Sequence, residues 1–203
     1  MQDARGEKMT LTVYGDQRSG NCLKVKWLLD RLGLAYDWIE TDVMAGTTRT
    51  PAFLALNPAG QIPLVILPDG RPLSQSNALL LHFGEGTDLV PTDPYERARM
   101  LEWLFWEQNT HEPSIAVARF RMLLGGQTRD QLDPALLTRG EAALARMERA
   151  LEGASFLLGE GLTLADIALV AYTRVAHEGG FDLSPFPAVR AWVARVEAAL
   201  PIR

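Results

Sequence analysis

The chain carries one cysteine, Cys22, among 203 residues. No intramolecular disulfide can form, which fits a reducing compartment. Histidine is scarce as well. His82, His111 and His177 stand far apart in the sequence and have no metal-ligand spacing. His111-Glu112 lacks the second histidine of a zinc-protease helix. Gly125-Gly126 reads as a loop and not as a phosphate cradle. Neither a metal nor a nucleotide cofactor is expected. An excess of positive charge is also missing. The formal net charge is −5, whereas nucleic-acid binders carry a basic surface, so nucleic acid is not an expected partner. No apolar run approaches the roughly 20 residues that span a bilayer. Residues 1–8 are polar and lack the apolar stretch of a signal peptide. These absences together predict a soluble, cytoplasmic protein with no membrane partner. Residues 1–8 then read as a disordered lead, with Met9 as an alternative start.

What is present is an ordinary globular composition, 47% hydrophobic and 22% charged. The length can bury the core of one large or two small domains. The first part alternates strand and helix signals. Thr10–Tyr14 alternates polar and apolar residues as a half-buried strand does. Val25, Leu28, Leu29 and Leu32 recur at helical spacing, with Ser19 just ahead of the run and Gly33 just behind it. Tyr36–Glu40 reads as a second strand, parallel to the first across a right-handed βαβ unit. A connecting segment with a short helix follows. Leu64–Leu67 reads as a buried strand, Asp69-Gly70 as a hairpin turn and Arg71–Leu73 as the returning edge strand. Ser74–Phe83 is then helical. That order resembles a thioredoxin-like domain with a mixed four-stranded sheet. Residues 84–94 carry turn-formers and no periodicity. Beyond Tyr95 every periodic signal is helical: Leu137, Leu144, Met147 and Leu151 share one face, and Val189, Trp192, Val193, Val196 and Leu200 another. The expected organisation is α/β over residues 9–84, a linker over 85–94, and an all-α helical bundle over 95–203.

Three segments of the first half carry chemistry. In Asn57-Pro58-Ala59-Gly60-Gln61-Ile62-Pro63, a proline stands directly before a buried strand. A cis Ile62-Pro63 bond and a trans proline opening an edge strand are both compatible with it. The cis arrangement would leave the N–H and C=O of Ile62 facing out, ready to pair with an extended peptide. In Leu73-Ser74-Gln75-Ser76-Asn77-Ala78 a helix begins, where unpartnered N–H groups suit a carboxylate. Simple N-capping by Ser74 or Ser76 explains the same residues. In Ser19-Gly20-Asn21-Cys22-Leu23-Lys24 the first helix begins, and a ligand thiolate is favoured at such a terminus. Ser19 either donates to that sulfur or only caps the helix. Cys22 lacks a CxxC partner and reads as a bystander. Thr163-Leu164-Ala165-Asp166 has the form of a capping box, with Asp166 in the place of the more usual Glu or Gln.

With Gly161-x-Thr163-x-x-Asp166-Ile167, these segments make four patterns in one order. The chain resembles the cytosolic glutathione transferases from about Thr10 to its end, in particular the bacterial type related to the serine-dependent theta and zeta classes. The resemblance implies that glutathione is the co-substrate, conjugated as a thiolate to a small electrophile, and that the protein is a homodimer. It implies Ser19 as the activating hydroxyl and Asn21, Arg49, Gln61, Ile62, Pro63, Gln75 and Ser76 as glutathione-binding. Ile62 would pair with the cysteinyl unit ahead of a cis Pro63. Gln75 and Ser76 would take the γ-glutamyl end, with Gln75 where the family usually has Glu. Thr48 and Arg49 fall where the glycyl carboxylate is met, and Arg49 suits it better. Trp106, Asn109, His111 and Arg119 are the candidates for the acceptor side, on a helix expected to wall an interdomain cleft and to bend at Pro113. The Trp103–Trp106 cluster also fits core or dimer packing. Non-catalytic binding proteins of this fold and glutathione-dependent disulfide reductases or peroxidases are the alternative readings.

Overall fold

The computed structural model describes residues 10–200 and 202. The reading of residues 1–8 as a lead, and of Met9 as a start, lies outside the described residues. The chain divides after Phe83 into two compact units.

The first unit is built on four strands in the order β2-β1-β3-β4. Strand β1 is Leu11–Gly15, and α1 follows as Gly20–Arg31. Strand β2 is Tyr36–Glu40 and runs parallel to β1, with Leu11 opposite Tyr36 and Gly15 opposite Glu40. A 3-10 turn at Thr47–Arg49 leads into the short helix α2, Pro51–Leu56. Strand β3, Leu64–Ile66, pairs antiparallel with β1 and with β4, Pro72–Ser74. Helix α3 is Ser76–Gly84, two residues later than the sequence pattern placed it. The delay has a local cause: Gln75 has φ 72°, a left-handed conformation that cannot belong to the helix. The core between sheet and helices is Leu11, Val13, Val25, Leu29, Val65 and Leu79, with Tyr36, Trp38, Leu67, Leu73 and Phe83 packed against it.

The second unit is helical. Helix α4 spans Pro94–Trp106, α5 Val117–Leu123, α6 Pro134–Leu151, α7 Leu164–Thr173 and α8 Pro187–Ala199. All ten residues of α7 are buried, as expected of a segment apolar on every side. Its lone carboxylate, Asp166, accepts from the N–H of Leu157 at 2.9 Å, the N–H of Thr163 at 2.8 Å, the Thr163 hydroxyl at 2.9 Å and Trp192 Nε1 at 2.9 Å. Burial pushes this carboxyl above its ordinary value, and the four donors pull against that rise.

Between α4 and α5 the chain does not break at Pro113. Glu107–Ala116 continues as wide π-helical turns with Pro113 inside them. Proline cannot supply an N–H to a normal helical ladder, and a changed helical register is how the backbone accommodates it.

Elsewhere close packing sets the tolerance. A Cβ added to Gly140 would lie 2.3 Å from the ring of Phe181, which is itself buried. Gly140→Ala is expected to destabilise the protein by about 1–3 kcal/mol, because the ring cannot retreat from a filled core. Urea denaturation would read this as a lower midpoint at unchanged slope.

Candidate functional site

Three turns at one end of the first unit hold most of the residues singled out by sequence. The first runs from the end of β1 to α1. Ser19 is the N-cap of α1, extended at φ −91° and ψ 116°, and its oxygen accepts from the Cys22 N–H at 3.4 Å. That bond is long for a cap, and it uses only the oxygen. The hydroxyl proton takes no part in that bond. The first turn of α1 holds no acidic residue, so no side chain of its own opposes the positive end of the helix dipole.

The second turn is Asn57–Pro63. Asn57 is buried and organises it. Its Nδ2 donates to the carbonyl of Gln61 at 2.7 Å, and its Oδ1 accepts from the Ala59 N–H at 3.2 Å. Gly60 stands at φ 60°, and a Cβ there would meet Arg49 Nη1 at 2.5 Å. Glycine therefore allows both the turn and the approach of Arg49, whose Nη1 donates to the carbonyl of Ala59 at 3.4 Å. Thr48, next to it, is buried. The Ile62-Pro63 peptide bond is cis. Ile62 precedes the first paired residue of β3, and its N–H and C=O have no partner among the described residues.

The third turn is Gln75–Ser76 at the start of α3, whose first turn also lacks an acidic residue. The Ser76 hydroxyl does not cap its own helix. It donates to Asn21 Oδ1 at 3.1 Å, joining the starts of α3 and α1. Gln75 Nε2 donates to Gln61 Oε1 at 3.3 Å, joining the third turn to the second. Ser19, Asn21, Gln61, Ile62, Pro63, Gln75 and Ser76 thus lie on three turns cross-linked by side chains, and Arg49 reaches the second of them from the 3-10 turn before α2. Unpartnered backbone groups and two helix N-termini belong to the same region. Such an arrangement suits a short anionic peptide.

Cys22 lies one turn into α1 and is fully buried. Burial lifts its thiol to about 11, although the Ser19 side chain pulls the other way. A thiol so placed is inert. Among the described residues, no group of three or more His, Cys, Asp or Glu side chains is arranged to hold a metal ion.

The four acceptor-side candidates belong to the second unit and differ in setting. The Trp106 ring meets Trp103 edge-on at 5.2 Å, and the guanidinium of Arg146 lies over it at 4.5 Å. Asn109 is exposed and donates back to the Phe105 carbonyl at 3.0 Å. His111 is fully buried, with Nε2 2.9 Å from the Thr173 hydroxyl. Arg119 is paired with Glu178 at 2.5 Å. Burial and pairing make His111 and Arg119 part of the packing of the helical unit, where sequence reading had offered them to a substrate. Sequence reading also passed over Asp16 and Arg18. An Asp and an Arg just ahead of a serine cap were the available signal.

Comparison with known proteins identifies the family. Residues 18–85 match the family described as glutathione S-transferase, N-terminal domain, and residues 110–199 match the glutathione S-transferase C-terminal domain. The chain is 30% identical to glutathione S-transferase 3 of Zea mays, over 93% of this chain and 89% of that protein. It is 29% identical to the disulfide-bond oxidoreductase YfcG of Escherichia coli (strain K12), over 86% of this chain and 85% of that protein. Among solved structures, a glutathione S-transferase from Pseudomonas fluorescens [Pf-5] is similar at a TM-score of 0.89 and 48% identity. That match covers 93% of this chain and 94% of that one.

Proposed function

Since the chain belongs to the cytosolic glutathione S-transferase family, we propose that it binds reduced glutathione at the three turns of its first unit and conjugates it to a small electrophile. The supporting observation is the pair of helix N-termini tied by the Ser76–Asn21 bond, beside an Ile62 backbone without a partner. In this reading the cysteinyl unit adds to Ile62 as a short strand ahead of Pro63. The γ-glutamyl carboxylate sits on the start of α3, with the backbone of Ser76 and the side chain of Gln75 around it. Gln61 borders the same unit, and Arg49 takes the glycyl carboxylate by charge-assisted bonds. Asn21 holds Ser76 in place.

The chemistry follows from the sulfur. The thiol of glutathione loses its proton to solvent, and the Ser19 hydroxyl donates to the thiolate beside the N-terminal end of α1. The thiolate attacks an electrophilic carbon. A carbon–sulfur bond forms and the leaving group departs with its electron pair. No covalent bond to the protein is made. On this reading Ser19 is the activator, the chain is of the serine-type classes, and two copies pair.

One departure from the family pattern carries an expected effect. Gln75 cannot pair the γ-glutamyl ammonium by charge. Gln75→Glu is expected to tighten glutathione binding about fivefold, the worth of a partly exposed ion pair. Calorimetric titration of both proteins reads the difference.

A second reading has support from the Escherichia coli relative named a disulfide-bond oxidoreductase. Here the same bound thiolate attacks a disulfide sulfur and releases a thiolate. Cys22, buried and held protonated, is not the nucleophile in either reaction. Titration with glutathione, followed by turnover assays with an aryl halide and with a low-molecular-weight disulfide, separates the two. Absence of glutathione binding overturns both.

A further inference from the structure

The loop that delivers Ser19 is braced from one side by charges. It folds around Asp16: the Ser19 N–H donates to the Asp16 carbonyl at 2.9 Å, and the Arg18 N–H donates to Asp16 Oδ1 at 2.8 Å. Arg18 then grips the same carboxylate as a fork, with Nε to Oδ1 at 2.9 Å and Nη2 to Oδ2 at 2.6 Å. The same Nη2 reaches Asp42 Oδ1 at 2.8 Å. Asp42 belongs to the turn after β2, where it also accepts from the Met44 N–H at 2.7 Å. A second link runs beside the first. The Gln17 N–H donates to Glu40 Oε1 at 3.1 Å, and Trp38 Nε1 donates to Glu40 Oε2 at 2.8 Å. The Trp38 ring covers Gly15 so closely that a Cβ there would lie 2.4 Å from it.

Two features distinguish this clasp from an ordinary surface ion pair, which contributes little. The Asp16 side chain is only 5% exposed, while Arg18 is 42% exposed. Removing Arg18 would leave a carboxylate out of water without its cation. The second feature is the charge count around the sulfur. Asp16 and Arg18 belong to the loop itself, Glu40 and Asp42 to the end of β2 and the turn after it, and Cys22 and Lys24 to α1. The negative charges of Asp16 and Glu40 are felt at the sulfur of Cys22, where they oppose ionisation. A thiolate held at Ser19, one helical turn away, would meet the same carboxylates.

We propose that the Asp16–Arg18–Asp42 clasp fixes the Ser19 hydroxyl on the loop and that Arg18 neutralises the carboxylates facing the sulfur, which makes Arg18 a positioning residue for thiol activation. The inference rests on the glutathione reading given above. The ionisation of Asp16 is consistent with it. Burial alone pushes its carboxyl up, but the hydrogen bonds and charge of Arg18 outweigh burial and hold it below its ordinary value. The folded value is thus the lower one. The stability contributed by the pair is complete above the ordinary carboxylate range and is lost as pH falls through the folded value.

The test is the pH dependence of kcat/KM for conjugation in wild type, Arg18→Gln, Arg18→Lys and Asp42→Asn, at low and high salt. Arg18→Gln should move the acid limb to higher pH and lower kcat/KM on that limb about fivefold, with kcat falling more than the glutathione KM rises. Arg18→Lys should keep the limb near its wild-type place. Asp42→Asn removes a negative charge and keeps an acceptor oxygen for Met44, so it should move the limb to lower pH. High salt should shrink both displacements. A brace that acts only mechanically predicts losses in Arg18→Gln and Asp42→Asn alike, with neither limb displaced, and that result overturns the proposal. If Arg18→Gln does not fold, the opposite shift of Asp42→Asn still decides it. A wild-type protein that binds no glutathione overturns the functional reading and this inference together. Binding with unmoved limbs overturns this inference alone.

Discussion

Ser19→Ala is expected to lower kcat/KM for conjugation by about a hundredfold to a thousandfold, the range seen when one preorganised donor to a developing anion is removed. The loss should fall on kcat more than on the KM for glutathione, because Ile62, Gln75, Ser76 and Arg49 still hold the peptide. Stability should change little. The Ser19 oxygen is 3.4 Å from the Cys22 N–H, so its cap belongs at the low end of the ~0.5–2 kcal/mol range. Ser19→Thr keeps a hydroxyl on the cap and should recover part of the rate. Steady-state kinetics beside a thermal melt separate the two effects. A stable Ser19→Ala protein with wild-type kcat would remove the hydroxyl from the mechanism.

The largest structural effect is expected at Asp166. Its carboxylate satisfies the N–H groups of Leu157 and Thr163, the Thr163 hydroxyl and the Trp192 indole, all in the buried heart of the helical unit. Asp166→Ala leaves three N–H donors with no acceptor and strips the start of α7 of its box. Each buried donor left unmade costs about 1–3 kcal/mol, so the total reaches about 3–5 kcal/mol or more even with some relaxation. Against a total stability of about 5–15 kcal/mol, that is a large fraction. The melting temperature should fall by roughly 10 °C or more for a chain of this size. Asp166→Asn returns one acceptor oxygen but points an NH2 group at donors, and it should fall between. Urea denaturation followed by circular dichroism reads the loss as a lower midpoint. A loss under about 1 kcal/mol would show that water or backbone replaces the carboxylate at little cost.

The two residues differ in how far each was legible before any coordinates. Both obey short-range rules. A serine ahead of a periodic apolar run marks Ser19, and Thr-x-x-Asp marks the box at Asp166. Strand β2, the Asp69-Gly70 hairpin and the parallel βαβ unit followed from similar local chemistry. Pairings across long stretches of sequence were not legible. The Ser76–Asn21 bond spans 55 positions, and the His111–Thr173 contact spans 62. Nothing near Ser76 says that its hydroxyl will leave its own helix for α1, and nothing near His111 says that its ring will be buried. The left-handed backbone at Gln75 was hidden because side chains rarely adopt it, so the helix was begun too early. Pro113 reads from sequence as a bend in the helix because local rules have no place for a ten-residue π-helical segment. The Arg18 clasp was missed for a related reason. An Asp two residues ahead of an Arg on a loop is ordinary until Asp42 arrives from the end of β2.

The central claim is that Ser19 and the start of α1 hold the thiol of bound glutathione as its anion. The direct measurement is the ultraviolet thiolate absorbance of glutathione bound to the protein, titrated against pH in wild type and Ser19→Ala. The account predicts a thiolate band in wild type near neutral pH, well below the ionisation of a free thiol, and its displacement toward the free value in Ser19→Ala. Glutathione bound with the same titration in both proteins, at the pH of the free thiol, would contradict it.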